Sequence, residues 1–127
     1  MIVADSDVLI DALRGRERAR SRIATALQTG TLATTVVSLF ELLSGARTKS
    51  QQHKVQQLLG ALEVLPVDAR ASREAAAIRR DLEFSGQGIG MADYLIAGIC
   101  RARGAVLLTR NLAHFERVDG LLVETPG

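Results

Sequence analysis

The chain has 127 residues, of which 47% are hydrophobic and 24% are charged, and its formal net charge at pH 7 is +2. This composition is typical of a globular protein and excludes a disordered or collagen-like chain. Only 3% of the residues are aromatic and Trp is absent, so stacking of bases on an aromatic platform is not expected here. The length predicts one domain over residues 1–127.

Cys100 is the only cysteine, which excludes an internal disulfide or a cysteine-based zinc site and favours a small buried hydrophobic role. No charged segment followed by an apolar segment marks a secretion signal at the start. The longest apolar stretch, around residues 94–100, is far shorter than the roughly 20 residues of a membrane span. We therefore expect a cytoplasmic protein without membrane contact.

Hydrophobic periodicity predicts strands and helices that alternate along the chain. Strands are predicted, in chain order, over 2–4, 32–35, 64–67, 105–108 and 121–123. Helices are predicted over 8–13, 17–28, 38–46, 50–62, 69–84 and 91–103. Gly30 stands where a C-terminal helix cap belongs, and Pro66 favours an edge position or the end of its strand. The alternation predicts a three-layer α/β fold with a central, mainly parallel sheet flanked by helices.

Polar residues directly follow two of the predicted strands. Asp5-Ser6-Asp7 comes after the first strand, and Thr109-Arg110-Asn111 comes after the fourth. Ligands of open parallel sheets bind at the carboxyl ends of the strands, and clustered carboxylates there suit a hard cation such as Mg²⁺ or Mn²⁺. Each acid after the first strand could equally cap the helix that follows it.

Two further acids stand on predicted helices. Glu41 lies among large apolar residues, and its helical neighbours Ser38, Ser44 and Gly45 are small. That environment suits a cleft, although a solvated helix face explains the position about as well. Asp93 stands in the first turn of its helix, where an acid also interacts favourably with the helix dipole. From the residues alone, the roles of both acids stay open.

Taken in order along the chain, four stretches around these acids match one known pattern. They are residues 2–10 around Asp5, residues 38–46 around Glu41, residues 92–97 around Asp93, and residues 107–115 with the run Leu-Leu-Thr-Arg-Asn. This order resembles the PIN-domain ribonucleases of the VapC toxin type, and the resemblance spans essentially the whole chain. It implies an α/β domain with a metal-dependent acidic pocket that hydrolyses RNA phosphodiesters, with tRNA or rRNA as the substrate.

The resemblance also implies a role for each residue of the pocket. Asp5 and Asp93 would make the most direct contacts to one or two Mg²⁺ or Mn²⁺ ions. Glu41 would bind a second ion or act through water, and Thr109 would orient the pocket or a phosphate through its hydroxyl.

The sequence departs from the family pattern at two positions of the pocket. Asn111 stands where many relatives have a fourth acid, and Asp7 stands where relatives often have Asn. The fourth catalytic position therefore stays open among Asn111, Asp7 and Glu116, as does the presence of a second metal. His114 has no zinc-like pairing with another His and is interpreted as a loop or helix-end residue.

The resemblance further implies two protein partners. A cognate VapB-type antitoxin would lay an amphipathic helix into an apolar groove provided by helices within residues 8–28 and 37–62, and the chain would form a homodimer. A dense basic stretch could contact RNA phosphates or an acidic antitoxin segment, or form a solvated helix face: Arg14, Arg16, Arg18, Arg20 and Arg22.

Two other classes of protein share some of these features. A phosphorylatable receiver-type signalling domain would use Asp5 and Asp7 as its acidic pair and Asp68 as its phospho-acceptor. It also needs a Lys after a late strand, whereas the only lysines are Lys49 and Lys54. A haloacid-dehalogenase-type phosphatase is suggested by the Asp-x-Asp pattern, but it requires a well-placed Lys and a late acidic pair.

Overall fold

The computed structural model describes residues 1–127 and contains one five-stranded sheet. Its strands are β1 (Ile2–Ala4), β2 (Leu32–Thr35), β3 (Glu63–Leu65), β4 (Val106–Leu108) and β5 (Leu122–Glu124). Every pair of neighbouring strands is parallel, and the spatial order is β3-β2-β1-β4-β5. The prediction of a mainly parallel sheet is confirmed, and β1 lies at its centre.

Seven helices surround the sheet. They are α1 (Ser6–Leu13), α2 (Glu17–Gln28), α3 (Val36–Gly45), α4 (Lys49–Gly60), α5 (Ala69–Phe84), α6 (Met91–Arg103) and α7 (Leu112–Phe115). None of them combines the length and the apolar composition that crossing a bilayer requires. The predicted bounds of α2, α5 and α6 are those of the structure, and the short α7 was not predicted.

Two apolar clusters cover the two faces of the sheet. Val3 and Leu107 belong to a cluster shared with α5, α6 and α7, whereas their neighbours Ala4 and Leu108 belong to one shared with α1 to α4. Successive side chains of a strand point to opposite faces, so this division defines the three predicted layers. Cys100 is fully buried in the first cluster, and this burial raises the pKa of its thiol to about 12.

Local residues explain where several elements begin and end. The Thr35 hydroxyl oxygen accepts a hydrogen bond from the backbone N–H of Ser38, so α3 begins at Val36, two residues earlier than predicted. Gly104 ends α6 in the left-handed conformation at φ 62°. Strand β3 is at the edge of the sheet and ends at Leu65, directly before Pro66.

Helices α5 and α6 pack closely because a glycine lies between them. A Cβ atom added at Gly98 would lie 2.6 Å from the Ala71 carbonyl oxygen and 2.7 Å from the Ala75 Cβ. This close approach fixes the position of α6 and therefore of Asp93 in its first turn.

Candidate active site

The centre of the site lies where β1 and β4 end side by side. The strand order reverses between these two strands, which is the place where open α/β sheets bind ligands. Asp5 follows β1, and its backbone N–H donates to the Leu108 carbonyl at 2.9 Å. The Thr109 hydroxyl donates to Asp5 Oδ2 at 2.8 Å, and the Ser6 backbone N–H donates to Asp5 Oδ1 at 2.8 Å. Asp5 therefore caps α1, as one alternative predicted, and also joins β1 to β4.

The Asp5 carboxyl lies in an environment that disfavours its charge. Burial, followed by the neighbouring Asp7 carboxylate, raises the pKa of Asp5 to about 6. The hydrogen bonds from Thr109 and Ser6 oppose this shift, and Glu41 adds a smaller like-charge contribution that raises the pKa. A cation beside Asp5 would relieve both the burial and the repulsion.

Asp7 is held at the same edge by the backbone after β4. Its Oδ2 accepts the Arg110 backbone N–H at 3.0 Å, whereas its Oδ1 is buried and has no hydrogen-bond partner. Burial raises the pKa of Asp7 above its ordinary value. An unpaired carboxylate oxygen away from water is costly unless another ligand satisfies it.

Glu41 joins the site from α3. The Ser6 hydroxyl donates to Glu41 Oε1 at 3.2 Å, and the Ser6 backbone N–H holds Asp5. Although Glu41 is exposed, this contact places it at the edge of the sheet rather than on a remote helix face.

Asp93 joins the site through a histidine. His114 Nδ1 lies 2.9 Å from Asp93 Oδ2 and 2.9 Å from Asn111 Nδ2. One ring nitrogen cannot donate to a carboxylate and accept from an amide at once. Both contacts are satisfied when the Asn111 carboxamide turns its oxygen to the ring and the single Nδ1–H is shared between Asp93 and Asn111. The Asn111 backbone N–H donates to the Thr109 hydroxyl oxygen at 3.0 Å.

The five residues singled out in the sequence thus lie on one chain of contacts. In order, its members are Glu41, Ser6, Asp5, Thr109, Asn111, His114 and Asp93. Ser6 and His114 are the connecting residues that the sequence analysis did not assign. The spacing of three residues between Asn111 and His114, one helical turn, is the pattern that could have indicated the second.

The structure does not bring every candidate acid into one metal-binding arrangement. Glu116 is exposed, and its side chain makes no hydrogen bond or ion pair with the site. No group of three or more His, Cys, Asp or Glu side chains is arranged so that it could hold one metal ion. In the structure, Thr109 and His114 occupy one oxygen each of Asp5 and Asp93.

Comparisons with known proteins agree on one family. Residues 2–121 match the PIN domain. The chain is 39% identical over 121 residues to Ribonuclease VapC10 of Mycobacterium tuberculosis, covering 95% of this chain and 90% of that protein. It is 33% identical over 102 residues to the tRNA(fMet)-specific endonuclease VapC of Shigella flexneri, covering 77% of each.

Solved structures support the same assignment. The crystal structure of VapBC2 from Rickettsia felis bound to a DNA fragment from its promoter superposes with a TM-score of 0.90 at 27% identity, covering 98% of each chain. DNA-bound VapBC from Salmonella typhimurium gives a TM-score of 0.88 at 28% identity, covering 99% of this chain and 98% of that one.

The chain therefore belongs to the PIN-domain family, as a ribonuclease of the VapC toxin type. PIN-domain nucleases generally depend on divalent metal ions. The comparisons give no support to the receiver domain or to the haloacid-dehalogenase-type phosphatase.

Proposed function

We propose that the acidic edge between β1 and β4 binds Mg²⁺ or Mn²⁺ and hydrolyses RNA phosphodiesters, with Asp5, Glu41 and Asp93 as the metal-binding acids. The observation that supports this most strongly is the unbroken chain of contacts that joins these three acids. It runs through four connecting residues: Ser6, Thr109, Asn111 and His114. The catalytic unit would be one domain over residues 1–127.

The donor set suits a hard divalent cation. Carboxylate and amide oxygens are the ligands that Mg²⁺ and Mn²⁺ prefer. The raised pKa of Asp5 and the unsatisfied Oδ1 of Asp7 both identify negative charge that the protein leaves uncompensated. When bound, the ion would supply an electrophile for phosphodiester hydrolysis at neutral pH.

The neighbouring polar residues would position the acids. Thr109 is fully buried, and its hydroxyl donates to Asp5 while accepting from the Asn111 backbone, which fixes its orientation. Asn111 is our candidate for the fourth position because its carboxamide lies beside His114, the partner of Asp93. Its side chain would add an oxygen donor without adding charge.

For the substrate, we propose a structured cellular RNA, tRNA or rRNA. The relative from Shigella flexneri is named a tRNA(fMet)-specific endonuclease, which makes tRNA the first candidate. Such a target would place the activity in the cytoplasm.

For regulation, we propose inhibition by a VapB-type antitoxin. The similar structures from Rickettsia felis and Salmonella typhimurium are VapBC complexes. The cluster shared by α1 to α4 is bordered by partly buried apolar side chains that could form a groove for an amphipathic helix: Ile10, Leu13, Leu39, Leu43, Leu58 and Leu62. A homodimer could use Phe84 and Met91, which flank one loop and are 95% and 63% exposed.

The test is cleavage of total tRNA and rRNA by wild type and by Asp93→Asn, each with Mg²⁺, Mn²⁺ or EDTA. Asp81→Asn is the matched control, because Asp81 is an exposed residue of α5 whose carboxylate has no partner. We expect discrete fragments from wild type and Asp81→Asn, none in EDTA, and at least about a hundredfold slower cleavage by Asp93→Asn, because even an indirect metal partner is worth about 10–100-fold. Equal cleavage by wild type and a folded Asp93→Asn would refute the assignment.

A further inference from the structure

Outside the acidic edge, one buried carboxylate lies between two arginines. Asp11 of α1 has a side chain only 10% exposed. Its Oδ1 lies 3.3 Å from Arg16 Nε, and its Oδ2 lies 2.8 Å from Arg110 Nε. Arg16 precedes α2 and Arg110 follows β4, so Asp11 joins residues 94 positions apart in the chain.

Both arginines make their shortest contact with Asp11 through Nε, which leaves their terminal groups available. The Nη groups of Arg16 and Arg110 make no hydrogen bond within the chain, although these side chains are 66% and 58% exposed. The two Nη groups of a guanidinium form the fork that binds phosphate oxygens. Asp11 therefore holds two such forks in place at little further cost in side-chain entropy when a ligand binds.

The two forks border an open cleft of about 790 Å³. Arg18 and the last three residues of the chain line the cleft as well, and none of its lining residues is aromatic. The first turn of α2 also lines it, and no side chain caps that helix. Three arginines line the cleft against two acids, Asp11 and Glu17. The cleft therefore suits an anion bound through charge and hydrogen bonds, not a base bound by stacking.

The cleft adjoins the acidic edge through the backbone of Arg110. Its neighbours in sequence are Thr109 and Asn111, and its N–H donates to Asp7 Oδ2 at 3.0 Å. An anion bound by the Arg110 side chain would therefore lie close to the acidic edge.

We propose that Arg16 and Arg110, anchored by Asp11, form a clamp for a backbone phosphate of the RNA strand beside the phosphodiester that is cleaved. This inference rests on the proposed RNA substrate and states how the RNA strand is held beside the acidic edge. A phosphate of the same strand is favoured over an acidic protein segment because any RNA that reaches the acidic edge brings such a phosphate to the neighbouring cleft. Without aromatic residues, the contact would be independent of base sequence.

The clamp is tested by the binding of end-labelled total tRNA in EDTA, which prevents cleavage, followed by fluorescence anisotropy. Arg16→Ala and Arg110→Ala should each raise the Kd about tenfold, because a hydrogen bond to a charged group is lost. The loss of one phosphate contact should also lower the slope of log K against log salt by roughly 0.7. Arg80→Ala is the matched control: it removes an exposed arginine of α5 that makes no ion pair, and its Kd should stay within about twofold of wild type.

A double Arg16→Lys and Arg110→Lys variant separates a clamp from a general basic surface. Lysine keeps the charge and loses the fork, so binding should stay weak. Full recovery of binding by this variant, or alanine variants that bind as Arg80→Ala does, would overturn the clamp. Loss of antitoxin binding with unchanged tRNA binding would overturn it too and identify a protein interface. If wild type neither binds nor cleaves RNA, the proposed substrate fails first and the clamp fails with it.

Discussion

The Asp5 carboxyl stabilises the fold when it is protonated and destabilises it when it is charged. Its carboxylate accepts two hydrogen bonds, yet burial and Asp7 raise its pKa to about 6. In an unfolded chain the carboxyl would titrate near its ordinary value of about 4. The folded, metal-free protein therefore binds a proton at Asp5 more tightly than the unfolded chain does.

The raised pKa of Asp5 predicts how the free energy of unfolding changes with pH. Because the folded pKa is raised, the stabilising contribution of Asp5 is complete below about pH 4 and is lost as the pH rises through about 6. Above that pH, Asp5→Asn should be more stable than wild type in EDTA by up to about 3 kcal/mol, since an uncharged isostere avoids the penalty. Urea denaturation of both proteins at pH 4.5 and 7.5 measures the difference.

The same experiment contains its own control, because the two proteins differ only at residue 5 and are compared at both pH values. The advantage of Asp5→Asn should be only about 1 kcal/mol at pH 4.5. At pH 7.5 it should shrink when Mn²⁺ is added, since the ion would bind wild type more tightly than the variant. An advantage of the same size at both pH values would contradict a buried, repelled charge at Asp5.

His114 is predicted to act on Asp93 without touching the substrate. Its Nδ1 lies 2.9 Å from Asp93 Oδ2 and holds that oxygen in one orientation. His114→Ala should lower the Mn²⁺ affinity about 10–100-fold, which is typical for the loss of a residue that orients a ligand. Calorimetric titration with Mn²⁺ checks this, and His53→Ala, which alters an exposed residue of α4, serves as the control. An unchanged affinity in a folded His114→Ala protein would contradict the positioning role.

At the scale of elements, the position of Asp93 depends on how closely α6 packs on α5. Gly98→Ala would place a Cβ 2.6 Å from a backbone oxygen that cannot rotate away. We expect the free energy of unfolding to fall by at least about 2 kcal/mol, as overpacked sites do. Gly45→Ala is the control, because nothing lies within 4 Å of a Cβ at the end of α3, and it should match wild type or gain up to about 1 kcal/mol. Thermal or urea unfolding distinguishes them, and equal stability of the two variants would show that α5 and α6 separate freely.

The sequence predicts those helices best whose own residues show a long apolar periodicity and clear ends. The 16 residues of α5 and the 13 of α6 have long apolar periodicity and clear ends, and Gly104 marks one of them. The four residues of α7 are too short to show a periodicity, and the helix depends on burial of Phe115 against the sheet. Because His114 lies in α7, its contact with Asp93 could not be predicted from the sequence either.

At the scale of the whole molecule, the sheet topology determines which distant residues meet. The sequence places Asp5 and Thr109 after strands, and the parallel pairing of β1 with β4 then brings them within one hydrogen bond. The contact of Asp11 with Arg110 spans 99 positions and follows no periodicity, so the sequence offered no means to predict it. Patterns along the chain thus indicated which acids to consider as site residues. The residues that connect these acids, Ser6 and His114, could be identified only from the fold.

The proposed metal site is tested most directly by calorimetric titration of Mn²⁺ at pH 7.5 into four proteins: wild type, Asp5→Asn, Asp93→Asn and the control Asp81→Asn. If the acidic edge between β1 and β4 is the metal site, wild type and Asp81→Asn should bind the ion with equal affinity, and the other two variants at least about tenfold more weakly. Equal affinity in all four proteins, or no binding to wild type, would contradict a metal site formed by Asp5 and Asp93.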